Sequence, residues 1–149
     1  MIYKNINKAK ADEFRNKSIV ALDYGDRFIG IAASDISQII ATPVTVLERN
    51  NIERDLKQIA KILESYQTKL ILLGLPNNHD QATEKTTQKV KSFANILNQQ
   101  LDVDIFYFDE RYSSHAASRV TNQAEFKKFS RDDAHAACFV LQGFLEFLR

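Results

Sequence analysis

Asp23, Glu110 and Asp133 are the residues best placed to do chemistry, because each sits at the boundary of an otherwise apolar segment. Asp23 closes Ser18-Ile-Val-Ala-Leu-Asp23, Glu110 follows Val103-Asp-Ile-Phe-Tyr-Phe108, and Asp133 opens an apolar stretch that runs to Leu148. A charge beside a core is costly unless something pairs with it. Carboxylates gathered at one sheet end repel one another and favour a hard divalent cation, most naturally Mg²⁺ or Mn²⁺. Two such ions about 4 Å apart suit phosphodiester hydrolysis, since they activate a water and stabilise the leaving oxygen. No nucleophile with a base at recognisable spacing competes with that chemistry.

Each carboxylate also has a plainer local reading. Asp23 precedes Gly25, and aspartate often caps a tight turn. Ser130-Arg-Asp-Asp133 has the spacing of a helix capping box, and Glu110 adjoins Arg111 as a surface ion pair would. Their coincidence at one end of a sheet is what carries the catalytic reading. Among cations, Arg111 and Arg27 are the candidate phosphate contacts, with Lys127, Lys128 and Arg131 as a thin basic stretch. Asn77 follows a strand and could reach substrate. His79, His115 and His135 show no zinc spacing with Cys138, which reads as a small core residue.

The elements that must position these groups follow from periodicity. Residues 18–23 and 27–34 read as two strands of a hairpin, with Gly25 free to take positive φ in the turn. A third strand covers about residues 39–47, where Pro43 marks an edge or a bulge. Leu56, Ile59, Ala60, Leu63 and Tyr66 predict an amphipathic helix. Lys69-Leu-Ile-Leu-Leu73 predicts a central strand buried on both faces. A helix over about 83–100, a fifth strand over 103–108 and a last helix over 133–148 complete the order β-β-β-α-β-α-β-α. This predicts an α/β fold with a mixed five-stranded sheet and helices packed on it. Residues 1–17 lack an apolar period and read as an N-terminal arm, loose or a short helix, ahead of a domain over 18–149.

Size and composition set the outer bounds. The 149 residues are enough for one core, and 44% hydrophobic with 26% charged is ordinary for a globular protein. No apolar run approaches bilayer length, and the polar N-terminus does not read as a signal peptide. One cysteine excludes an internal disulfide framework, so the expected compartment is the cytoplasm. Twenty Lys+Arg against 19 Asp+Glu give a net charge of +1, without the basic excess that usually advertises nucleic-acid binding. A net count, however, cannot see a local patch.

Four segments resemble the YqgF/RuvX family. Ala21-Leu-Asp-Tyr-Gly-Asp-Arg-Phe-Ile-Gly-Ile-Ala-Ala-Ser-Asp35 is similar to its opening signature, an Asp-x-Gly turn between strands ending in Ser-Asp. Leu72-Leu-Gly-Leu-Pro76, Phe108-Asp-Glu-Arg-Tyr-Ser-Ser114 and Asp133-Ala-His-Ala-Ala137 resemble three later segments, in the family's order. The resemblance implies an RNase H-like fold and a nuclease that matures the 5′ end of pre-16S rRNA. The alternatives are a Holliday-junction-resolvase-like DNA nuclease and a non-catalytic RNA-binding assembly factor. It places metal-binding catalytic carboxylates at Asp23, Glu110 and Asp133, with Asp109 and Asp132 as neighbours. It further implies a nucleic-acid partner, structured RNA first and a DNA junction second, no membrane, and a monomer or homodimer. One departure stands out: Asn77-Asn-His-Asp-Gln81 lacks the Asp-Gly usual after Gly-Leu-Pro.

Overall fold

The architecture rests on a sheet whose middle strands are covered on both faces. The structure, a computed structural model, describes residues 1–4, 11–76, 81–109 and 132–148, with the backbone alone at 81, 82, 132 and 133. Its strands are β1 (Ile2–Tyr3), β2 (Val20–Tyr24), β3 (Phe28–Ser34), β4 (Ala41–Glu48), β5 (Leu70–Leu75) and β6 (Asp104–Asp109). Its helices are α1 (Ile52–Ser65), α2 (Gln81–Gln100) and α3 (Asp132–Phe147). The sheet order is β1-β6-β5-β2-β3-β4, parallel from β1 to β2 and antiparallel through β3 and β4.

Alternation along β2 explains the layering. Val20 and Leu22 enter a core with Leu56, Ile59 and Leu63 of α1 and Phe93 and Leu97 of α2. Ile19 and Ala21 enter a second core with Ala137, Leu141 and Phe144 of α3. A strand covered on both sides must be apolar at every position, as β2 is until Asp23. β5 obeys the same rule: Leu70 and Leu72 face α3, while Ile71 and Leu73 face α1 and α2. Every one of those four is 2% exposed or less, so the expected central strand is borne out.

The sheet has six strands where the sequence reading gave five. Ile2–Tyr3 adds to β6 in parallel, and the terminal amine donates to Val103 O at 2.7 Å. Tyr3 stacks on Phe106 with centroids 5.2 Å apart, and Phe14 meets both rings edge-on. This end of the expected loose arm is therefore pinned, by tertiary aromatic contact that a two-residue strand cannot announce in its own pattern.

Pro43 behaves as its chemistry requires. It lies on the edge strand β4, where the register slips between Ile31↔Thr45 and Ala32↔Pro43 and leaves Val44 as the extra residue of a bulge. Gly25, by contrast, does not use positive φ, which no described glycine adopts. It is needed for close approach: a Cβ there would sit 2.9 Å from Phe28 O, the carbonyl to which its own N–H donates.

Two side chains close the far edge of the sheet. Ser34 Oγ accepts from the buried Ile19 N at 2.9 Å and donates to Asp35 O at 2.9 Å. Asp35 Oδ1 accepts from Ile39 N and Ile40 N, which shapes the β3–β4 loop. Slight burial raises the Asp35 carboxyl, but those amides outweigh it and hold the group below its ordinary value. The Ser-Asp pair that ends the opening signature is thus structural.

The end of α1 is also fully accounted for. Gln67 N donates to Glu64 O and Thr68 N to Leu63 O, a Schellman motif with Gln67 left-handed at φ 52°. Replacing Ser34 by alanine would strand the Ile19 amide, so urea unfolding should show a loss of about 1–3 kcal/mol with an unchanged m-value. Gln67→Gly should do the opposite. It relieves a left-handed backbone and raises stability by up to about 1 kcal/mol in the same assay.

Candidate active site

Asp23 is inside β2, not in the turn, and its backbone pairs with Gly30 of β3. By alternation its side chain shares the α3 face with Ala21, and the residue is half-buried. On the other side β5 runs parallel, with Leu22↔Leu73 the last paired residues, so Gly74 is next along beside Asp23. The carboxylate therefore rises from the sheet between two residues that have no side chain.

The end of α3 that meets this edge is fixed by contacts further along. Leu145 and Leu148 line a cavity with Gln38 and Ile39. Gln142 Oε1 accepts from Ala41 N at 2.9 Å, and Cys138 Sγ lies against Ala41 O. Ala41 pairs with Ser34, at the opposite edge from Asp23. The helix thus descends from the Asp23 edge, and its first turn, holding Asp132 and Asp133, begins there. Ala134 and Ala137, each 1% exposed, let that turn lie close to the sheet. Asp23 and the backbone of Asp133 accordingly share one face and one edge.

The other predicted residues divide clearly. Asp109 ends β6, two strands from β2 and so about 10 Å away. Alternation from Phe106 and Phe108, which face α3, turns Asp109 to the opposite face from Asp23. Glu110, Arg111, Asn77, Lys127, Lys128, Arg131, His79 and His115 lie outside the described residues. Arg27 is exposed and pairs loosely with Glu48 at 3.7 Å, as a solvated surface cation would. Cys138 is buried and free, as its position on the apolar side of α3 predicts. Burial pushes its thiol up to about 12, which leaves it protonated and inert.

Among the described residues no group of His, Cys, Asp or Glu is large enough to hold a metal ion by itself. The chemistry of the donors nevertheless fits a hard cation. Asp23 offers only oxygen, at the end of parallel strands and beneath the acidic first turn of a helix.

The sequence reading did not find the groups that hold this edge in place. Arg49, just beyond β4, donates from Nη1 to Gly25 O at 3.1 Å and Asp26 O at 2.8 Å. Its guanidinium lies over the Tyr24 ring at 4.5 Å, and that ring also stacks on Phe93 at 4.2 Å. Lys89 of α2 reaches Asp26 at 3.0 Å.

Comparison with known proteins bears on the family and the fold. The family described as "RuvX: Holliday junction resolvase" matches residues 17–147. Relatives carrying the name "Putative pre-16S rRNA nuclease" include one from Dehalococcoides mccartyi, 35% identical over 123 residues, 82% of this chain and 92% of that protein. Another, from Ehrlichia ruminantium, is 34% identical and spans 100% of this chain and 97% of its own length. Among solved structures, Thermus thermophilus RuvC in complex with a Holliday junction substrate superposes with TM-score 0.60 at 7% identity, covering 85% of this chain and 91% of that one. The fowlpox virus Holliday junction resolvase gives 0.52 at 13% identity, covering 89% and 99%. At such identities these two speak for the fold alone, which is RNase H-like. With the family matched over nearly its whole length, the chain belongs to the RuvX family.

Proposed function

We propose that this chain is a cytoplasmic, divalent-metal-dependent endonuclease that cuts phosphodiester bonds in structured RNA, acting at the 5′ end of pre-16S rRNA. The observation that carries the reading is Asp23, a half-buried carboxylate between Gly30 and Gly74 that shares its face with the first turn of α3. The names of the relatives supply the substrate class. In this reading Asp23, Glu110 and Asp133 hold two Mg²⁺ or Mn²⁺ ions, within a nuclease domain over 18–149. Bound there, the ions supply the positive charge that polarises the scissile phosphate.

The chain's own contribution is orientation. Asp23 is fixed by the hairpin, so its carboxylate need not be ordered when substrate arrives. The flanking glycines leave the sheet surface low, and a phosphate can approach from the α3 face. Arg27 and Arg111 would hold neighbouring phosphates, and Asn77 would contact substrate from the loop after β5. A DNA junction is the second reading, favoured by the family's description and by the RuvC-like fold.

A labelled pre-16S 5′-leader fragment and a four-way DNA junction should be offered in parallel with Mn²⁺, Mg²⁺ or EDTA. Cleavage of the RNA is expected only with metal. Asp23→Asn should reduce it about a hundredfold or more, roughly 2.7 kcal/mol of transition-state stabilisation. The same variant should melt no lower than the parent, because it removes charge from a repelling cluster. An Asp23→Asn protein that cuts as fast as the parent would remove the assignment, and cutting of the junction alone would move it to DNA.

A further inference from the structure

Arg49 is the most heavily committed cation in the described structure, and every commitment is to the hairpin that carries Asp23. Its backbone N–H donates to Arg27 O at 2.8 Å, which extends the β3–β4 ladder past the end of β4. Its Nη1 joins the carbonyls of Gly25 and Asp26, the first two residues after β2. Its guanidinium carbon lies 4.5 Å from the ring centroid of Tyr24, the residue next to Asp23, and that ring also stacks on Phe93 of α2. Inside the turn, Gly25 N donates to Phe28 O at 2.9 Å. Arg49 thus ties the segment after β4 to the turn and to the end of β2, on the face opposite Asp23.

We propose that Arg49 is a positioning residue that sets the orientation of the Asp23 carboxylate, and through it the affinity for the catalytic cation. The inference rests on the reading of Asp23 as a metal ligand. A strand end is where backbone frays first, and a carboxylate two residues from a turn moves with that turn. Two charge-assisted bonds to successive carbonyls, with an aromatic ring beneath, remove the freedom. Lysine reproduces this arrangement only in part: its ammonium has the protons to donate to both carbonyls, as the single Nη1 does, but it supplies no guanidinium over the Tyr24 ring. What lysine lacks is the contact with Tyr24, so Arg49→Lys isolates the ring contact and Arg49→Met removes both.

The test compares the full-length parent with Arg49→Met, Arg49→Lys, Asp23→Asn and Ser34→Ala. Mn²⁺ binding is followed by the EPR signal of the free ion, and amide exchange over residues 23–28 is measured without metal. Arg49→Met should bind Mn²⁺ about tenfold more weakly, the lower end for groups that orient a ligand from behind, and Arg49→Lys more weakly by a smaller factor. They should also exchange faster at 23–28 and lose kcat with little change in KM. Ser34→Ala, which loosens the far edge of the sheet, should keep Mn²⁺ affinity within about twofold of the parent, so a general loss of stability is separated from positioning. Arg49→Met matching the parent in affinity and exchange would overturn the proposal, as would a rise in KM alone, which marks direct substrate contact. If Asp23→Asn bound Mn²⁺ as tightly as the parent, the ligand assignment itself would fall. The exchange data would then still show whether the clamp orders the turn.

Discussion

Covering β2 and β5 on both faces is the constraint from which the rest of the structure follows. A strand in that position has no solvent side, so polar residues are admitted only where the strand ends. Both strands are apolar for their whole buried length; at one edge β2 admits Asp23, beside the point where β5 gives up its side chain at Gly74. Because β2, β5 and β6 run parallel, their carboxyl ends fall side by side, without any loop having to bring them together. The position of Asp23 is thus a consequence of topology, at the carboxyl ends of parallel strands where open sheets tend to present function.

The two edges of β2 and β3 are closed by different devices. At the far edge the closure is side chain to backbone: Ser34 meets Ile19, and Thr68 Oγ1 donates to Ser18 O while accepting from Leu70 N. These buried groups satisfy amides and carbonyls that the ladder leaves over. At the near edge the closure is ionic and aromatic, with Arg49 and Phe93 both against Tyr24. The far edge has no side chain to aim and is sealed tightly. The near edge is braced from the face opposite Asp23.

Much of this was legible in the sequence for a simple reason: strands covered on both sides and helices covered on one leave strong periodic marks. The hairpin, the central strand, the bulge at Pro43, the core role of Cys138 and the position of Asp23 at a strand end all came from such marks. What escaped depends on groups without a sequence trace. Arg49 acts on two backbone carbonyls, which every residue possesses, and nothing in its neighbours signals the contact. Gly25 was read for its freedom of φ, whereas a carbonyl 2.9 Å from its missing Cβ is the actual constraint. Ile2–Tyr3 is too short to show a period. Asp109 and Asp23 look equivalent in the chain, and only counting alternation from Phe106 and Phe108 separates their faces.

The margins of the sheet have a consequence of their own. An open β-sheet offers unpaired N–H and C=O groups along its outermost strands, a template on which a second chain can add and keep adding. Here one margin is β1, two residues long and too short to template anything. The other is β4, where Pro43 offers no N–H and the bulge at Val44 breaks the even spacing a newcomer would need. These blunted margins let copies of the chain lie close without fusing into a shared sheet.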